Sequence, residues 1–433
     1  MARRPLLTHA PLPAAALALV LAVTSCGDGG GDGGGGGDIS ATDTLTVWIM
    51  EGTNPDATGF FEEANEAFTE EHGVDVEVEF IPWADAQDKI TTAMAGDTMP
   101  DVVELGTTFV PDFSDAGALH DVAPSIDDLS AYNEEMLEMG EIDDAVYSVP
   151  WYAAVRSMVY RTDVFEEHGA QEPENWEEMR ETALDLAEAE EEMIAFPVPG
   201  DAQYSVMPWI WGGGAELAVE QDDGTWVSEI DSDGAREGMQ FFTDLAMEDD
   251  LSTTGAVNWN EIDVMESFSD GDAIMALLGN ANPKAIVENN PDLEGDIGVF
   301  PIPGQQEGYT DSFAGGSNLS VFEGTGNEAA GVAYVEHLTD PDWSVRWADE
   351  TGFFPGGVDE LQEYVESEDP TVRPFAVQLD EAGRATPATP EWGQVESENI
   401  IVGMQQDILN GNATVDEATE SAADDIERIL NGG

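Results

Sequence analysis

A chain of 433 residues, 42% hydrophobic and 8% aromatic, can bury a large core and is long enough for roughly two to three domains, which excludes an intrinsically disordered protein. Twelve Lys and Arg against 92 Asp and Glu leave a formal net charge of −80, a field that repels phosphate backbones and anionic lipid heads and so excludes nucleic-acid and polybasic membrane-surface functions. The acids run along the whole chain and the lysines are only Lys89 and Lys284, a surface suited to concentrated salt, where the Debye length falls to ~3 Å at 1 M.

Residues 1–25 read as a signal peptide: Arg3 and Arg4, an apolar run over 12–23, then small residues at the cut. The run is too short to span a bilayer. Cys26, the sole cysteine, directly follows Val23-Thr24-Ser25 as in a lipobox, so its thiol is expected to be lipidated and to become the new N-terminus. A single cysteine allows no internal disulfide and no thiolate metal cage. Arg3-Arg4-Pro5-Leu6-Leu7 also resembles a twin-arginine export signal. From Gly27 to Asp38 the chain is glycine broken by Asp28, Asp32 and Asp38, so residues 26–42 form a flexible tether of about 20–25 Å r.m.s. span. Cleavage removes two basic and no acidic residues, so the mature balance is 10 − 92 = −82. Anchor, tether and body in that order place the protein at the outer face of the cytoplasmic membrane.

The body opens with a buried strand over 45–50 and a helix over 59–72 whose apolar face is Phe60, Phe61, Ala64, Ala67 and Phe68. Gly73 stops it, and 74–80 alternates with period two through Val74, Val76, Val78 and Phe80. A second helix over 85–95 leads through Pro100 to a strand over 101–105. This alternation predicts an α/β fold with a mainly parallel sheet, and no 20–50-residue repeat points to a solenoid or propeller. Apolar runs over 146–150 and 158–160 flank Trp151-Tyr152. Asn175 is positioned to cap a helix that Trp176 helps to pack. Residues 229–234 brush against a calcium loop, but Glu229 would stand at its first position and Gln240 at its twelfth. A helix over 235–247 is the better reading there.

Six segments, in order, resemble the family 1 extracellular solute-binding proteins, the sugar-capturing subunits of ABC importers that include maltose-binding protein. They are Thr44-Leu45-Thr46-Val47-Trp48-Ile49; Lys89-Ile90 through Gly96-Asp97 to Pro100-Asp101-Val102-Val103; Tyr147-Ser148-Val149-Pro150 with Met158-Val159-Tyr160 and Asp163-Val164-Phe165; Phe268-Ser269-Asp270-Gly271-Asp272-Ala273-Ile274-Met275; Phe313-Ala314-Gly315-Gly316-Ser317; and Gly352-Phe353-Phe354-Pro355. The resemblance covers roughly 43–433. It implies two α/β lobes, 43–153 plus 314–354 and 154–313 plus 355–433, joined by crossing segments around a ligand cleft. The loop over 104–109 has no Trp-x-x-Asp-Arg sugar clamp, which argues against maltose. Residues 47–57 look most like actinobacterial relatives assigned to N-acetylglucosamine or chitobiose uptake. The implied partners are a carbohydrate and the importer's permease, with no cofactor.

An indole can stack on the flat C–H face of a pyranose while leaving the hydroxyl edges to polar groups. Of the 11 tryptophans, Trp151, Trp209, Trp211, Trp259 and Trp392 fall at expected strand ends or loops and are the stacking candidates, with Tyr152 and Tyr204 beside them. Trp48, Trp83, Trp343 and Trp347 read as structural. The polar candidates are Glu51, Thr107, Thr108, Asn280 and Asn282, and Gly315 and Gly316 let backbone N–H groups approach a ligand. Arg156 reads as half of a structural ion pair. The competing class is a glycoside hydrolase, which needs two spaced carboxylates; no motif isolates such a pair. His72, His120, His168 and His337 are scattered, without HExxH or paired metal spacing, and no GxSxG or phosphate loop is present.

Overall fold

The computed structural model describes residue 39 and residues 42–432 apart from 97, 127, 133–135, 138–139, 143–144, 222, 307, 358–360 and 388. The leader, Cys26 and most of the tether lie outside the described residues. Leu45, Val47 and Ile49 are fully buried in strand β1 (Thr44–Glu51), as their alternation demands. The helix Thr58–His72 buries Phe60, Phe61, Ala64 and Phe68 and ends at Gly73, whose φ of 74° is left-handed. Strand β2 (Asp75–Pro82) pairs along the full length of β1. The next helix, Trp83–Gly96, takes in Trp83 at its first position, and β3 (Val102–Gly106) is buried through Leu105.

From Val149 onward the apolar runs around Trp151-Tyr152 are one strand, β4 (Val149–Arg161), while Val146 belongs to a separate short strand, Ala145–Val146. At about 3.3 Å per residue it is long enough to cross the molecule. Its first half pairs with β7 (Ser312–Val321) and β8 (Phe354–Pro355). Its second half pairs with β5 (Met275–Gly279) and β6 (Ile297–Phe300). Strand β7 also pairs with β3 and with β9 (Gly383–Arg384). Together these make one nine-stranded sheet. The expectation of a mainly parallel sheet needs correction: β1 is parallel to β2 and β3, and β7 to β9, but every pairing of β4 is antiparallel. The long strands β4 and β7 run against one another, and each serves two parts of the sheet.

The buried residues sort along these strands. One set packs β1 and the start of β4 against helices Thr58–His72, Glu328–Thr339 and Pro341–Thr351, with Trp347 and Tyr334 inside. Another packs the end of β4 against helices Gln203–Gly212, Asp233–Met247, Ile400–Leu409 and Val415–Leu430. Local capping is as expected: Asn175 accepts from the Glu178 N–H at the start of Trp176–Ala189. Ser232 accepts from the Ala235 N–H, so the 229–234 stretch serves as a helix cap.

Candidate functional site

A cavity of about 320 Å³ lies between these two packed regions. Loops that leave the carboxyl ends of β1, β3 and β5 bring Thr53, Thr107, Thr108, Asn280 and Asn282 to it, the place where open α/β sheets gather ligand contacts. Helix starts contribute Trp83, Gln203 and Glu261. Phe109, Tyr152, Tyr204, Phe313 and Phe353 add aromatic faces. A concave wall that sets aromatic faces among polar groups is the composition of a small-molecule site.

Polar chemistry is concentrated on β4. Arg156 gives two hydrogen bonds to Glu261, Nε to Oε1 at 2.8 Å and Nη2 to Oε2 at 2.7 Å. Its guanidinium also lies 4.5 Å from the centre of the Tyr204 ring, which stacks on Phe313 at 4.2 Å. Burial opposes the charge on Arg156, but the Glu261 carboxylate outweighs it and holds the guanidinium above its usual value. Tyr152 donates its hydroxyl to Glu104 Oε1 at 2.6 Å, and the Met50 N–H donates to Glu104 Oε2 at 2.7 Å. Tyr204 donates to Glu396 Oε1 at 3.2 Å, shared with the Trp392 indole N–H at 3.3 Å. Burial pushes Glu104 and Glu396 each up to about 7.

The expected site residues divide. Thr107, Thr108, Tyr152, Tyr204, Asn280, Asn282 and Gly316 line the cavity. The Asn280 and Asn282 amides are committed to backbone: Asn280 bridges the Val155 N–H and the Gly352 carbonyl, and Asn282 bridges the Gly279 N–H and the Thr53 carbonyl. Thr107 Oγ1 is buried with no hydrogen-bond partner. Gly316 is needed for packing, because a Cβ there would sit 2.0 Å from the Tyr152 carbonyl oxygen. A Cβ on Gly315 would meet the Phe313 ring, which places that residue behind the wall.

The tryptophans are placed otherwise than expected. Trp151 is 1% exposed and stacks on Trp347, ring centres 4.4 Å apart. Trp209 is fully buried, stacks on Phe242 and donates to the Ser205 carbonyl. Both Trp209 and Trp211 lie on the Gln203–Gly212 helix around an internal Pro208, where a loop or strand end was expected. Trp211 borders a separate surface depression with Trp226 and Glu216. Trp392 is buried at the start of a helix, Trp392–Ser397. Trp259 is half-buried against the core beside Asn260, and Glu51 ends β1 exposed to solvent. The tryptophan on the cavity is Trp83, which the sequence reading takes as structural. Its position beside an apolar strand was the only local signal, and that signal favours packing. Glu261 and Gln203 carry no motif at all.

The family model for "Bacterial extracellular solute-binding protein" matches residues 52–345. The diacetylchitobiose binding protein DasA of Streptomyces coelicolor is 26% identical over 398 residues, 90% of each chain. Among solved structures, an ABC transporter solute-binding protein from Thermotoga lettingae bound with alpha-D-tagatose superposes with a TM-score of 0.80 at 23% identity, covering 90% of this chain and 100% of that one. Maltose-bound MalE3 of T. maritima gives 0.77 at 22% identity, over 89% and 99%. The fold is therefore the two-lobed one of periplasmic binding proteins. Among the described residues no helix is long and apolar enough to cross a membrane.

Proposed function

The chain belongs to the bacterial extracellular solute-binding proteins, and from that premise we propose that it captures a neutral mono- or oligosaccharide outside the cell and delivers it to the permease of an ABC importer. One observation carries this reading: aromatic faces at Trp83, Phe109, Tyr204 and Phe313 surround the cavity, with uncharged polar groups at Thr107, Gln203 and Asn260. The cation in that lining, Arg156, is neutralised by Glu261. Such a surface suits sugar rings and hydroxyls and offers no free positive charge to an anion. DasA, by its name a diacetylchitobiose binder, makes that disaccharide the first to try.

Capture without turnover is part of the reading. A glycosidic acid–base pair must reach the scissile oxygen; of the cavity's carboxylates Glu261 is held through both oxygens by Arg156, which leaves Asp201 alone, while Glu104 and Glu396 stand behind Tyr152 and Tyr204. A thermal-shift screen of mono- and oligosaccharides in molar salt, followed by calorimetry and product analysis, tests both points. The expected result is a neutral sugar that raises the melting temperature and is recovered intact. A protein unmoved by neutral sugars but stabilised by a charged solute would overturn the assignment.

The lobe limits 43–153 plus 314–354 and 154–313 plus 355–433 are part of the proposal, supported by the way buried residues group. So is anchoring through Cys26, which rests on Val23-Thr24-Ser25 before it; a Cys26→Ser variant should move from the membrane fraction to the medium. The mature balance of −82 supports a halophilic protein. Lengthening the Debye length toward ~30 Å at 0.01 M restores repulsion among distant acids, so the melting temperature should climb between 0.1 M and 2 M chloride. A flat curve would remove the salt reading.

A further inference from the structure

Glu396 does not touch the cavity, yet it is 6% exposed directly behind a residue that does. Its Oε1 takes hydrogen bonds from Tyr204 and Trp392, while its Oε2 is buried with no hydrogen-bond partner. The Thr108 hydroxyl, from the loop after β3, lies against both Tyr204 and Glu396. Thr108 and Tyr204 both line the cavity, so this cluster joins its two walls. Resting on the sugar-capture reading above, we propose that Glu396 is a positioning residue that holds Tyr204 against the ligand, and that its proton sets how tightly the cavity binds.

As an anion, Glu396 is eased by Thr108, Trp392 and Tyr204, but burial outweighs them and Oε2 is left without a donor, a costly state in a low-dielectric interior. The groups facing it add no positive charge. On its own helix stands Trp392, on the Gln203–Gly212 helix Tyr204, on the loop after β3 Thr108, and on the Val110–Asp115 helix Asp112, which repels it. Asp112 in turn faces Asp115 and Glu391 and is pushed up to about 6, mainly by burial. Arg156, which stacks on Tyr204, is held in both its hydrogen bonds by Glu261. The neutral acid is therefore the form the assembled cluster favours, consistent with the rise to about 7. A ligand filling the cavity drives water off the open side of Tyr204 and deepens that burial, so binding takes up a proton. The sign follows: with the carboxyl's pKa raised in the bound state, affinity is highest at acid pH and is lost as pH rises through about 7.

The experiment titrates diacetylchitobiose calorimetrically from pH 5.5 to 8.5, in two buffers of different ionisation enthalpy, into the wild type, Glu396→Gln, Glu104→Gln and Asp112→Asn. Each unit of pKa shift on binding is worth at most tenfold, so the wild type should bind about three- to tenfold more tightly at pH 6 than at pH 8 and take up a fraction of a proton near pH 7. Glu396→Gln, a neutral mimic that keeps the acceptor for Tyr204, should bind at the acid-limb affinity throughout and lose the proton uptake, whereas Glu104→Gln, which neutralises the other acid raised to about 7 behind Tyr152, should keep both. Asp112→Asn, which removes a charge that repels Glu396, should keep the limb but move it slightly toward acid pH. A wild-type profile that is flat, or one that Glu396→Gln reproduces, overturns the proposal. A ligand-free arm separates this from the sugar assignment: the wild-type melting temperature minus that of Glu396→Gln should fall as pH rises through about 7. That fall with no sugar bound would remove the sugar and leave the titrating carboxyl; a constant difference removes the carboxyl's role.

Discussion

Tyr152 and Tyr204 face one cavity from two walls, and each phenol rests on a buried glutamate. Burial lifts both acids to about 7, yet the two pairs are built differently. Glu104 has a donor on each oxygen, Tyr152 on one and the Met50 N–H on the other, so it ties β3 to the end of β1 and to β4. Glu396 has two donors on one oxygen and none on the other. Behind Tyr152 stands a stacked aromatic core of Phe353, Trp347 and Trp151. Beside Tyr204, on the cavity wall itself, stand Phe313 and a guanidinium. Equal burial therefore does not mean equal bonding: Glu104 holds a donor on each oxygen and ties three strands together, whereas Glu396 keeps one oxygen without a donor.

The largest expected effect breaks the first wall from behind. Trp151→Ala removes a 1%-exposed indole from between Trp347 and Phe61, and truncating a buried tryptophan costs ~3–5 kcal/mol. Urea denaturation should show that loss, while calorimetry on the folded fraction finds sugar affinity nearly unchanged. Weak binding with normal stability would return Trp151 to the ligand. Next in size is Glu104→Ala, which strands the Tyr152 hydroxyl and the Met50 N–H in the interior. Each orphaned group costs about 1–3 kcal/mol, roughly 2–6 kcal/mol for the two, offset in part because a buried acid is removed with them, and the same measurement reads the net loss. A smaller loss than that of Glu396→Ala would reverse the ranking of the two walls.

These two residues also mark what the sequence could and could not disclose. Strand β1, the Gly73 stop and the Asn175 cap are local matters of alternation and turn chemistry, and they were legible. So was the place of Thr107, Thr108, Asn280 and Asn282 on the cavity wall, because loops at strand ends of an α/β sheet gather there. Trp151 was not. An indole suits a sugar face and a protein core equally, and its partners Phe61 and Trp347 arrive from distant parts of the chain. Trp83 failed for the mirror reason: it sits beside an apolar strand, yet packs over Gly106 at the cavity. Glu104 and Glu396 were two acids among 92, and only the folded chain puts a tyrosine on each.

A middle-sized effect separates wall from backing. Trp83 is half-buried and borders the cavity. If it stacks on the sugar, Trp83→Ala should forfeit roughly 1.5–3 kcal/mol of binding, about ten- to a hundredfold in Kd. The melting temperature should fall far less than in Trp151→Ala. Unchanged affinity measured by calorimetry would leave Tyr204 and Phe109 as the stacking faces and weaken the second half of the comparison.

The smallest effect comes from two adjacent hydroxyls that the walls divide between them. Thr107 Oγ1 is buried, lines the cavity and has no partner; the Thr108 hydroxyl is turned toward Tyr204 and Glu396. An unpartnered buried hydroxyl adds nothing to stability in the empty protein, so Thr107→Val should leave the melting temperature nearly where it was or raise it slightly. A single ligand hydrogen bond is worth about 0.5–1.5 kcal/mol, so the same change should weaken sugar binding roughly two- to tenfold. That loss should be the same at pH 6 and pH 8, because Thr107 has no contact with Glu396. Thr108→Val removes a group that eases the charge on Glu396, so its effect should grow as pH rises and the carboxyl ionises. Parallel titrations of both variants at the two pH values read this directly. Equal pH dependence in the pair would mean that the second wall does not exchange a proton through this cluster, and that Tyr204 is held as rigidly as Tyr152.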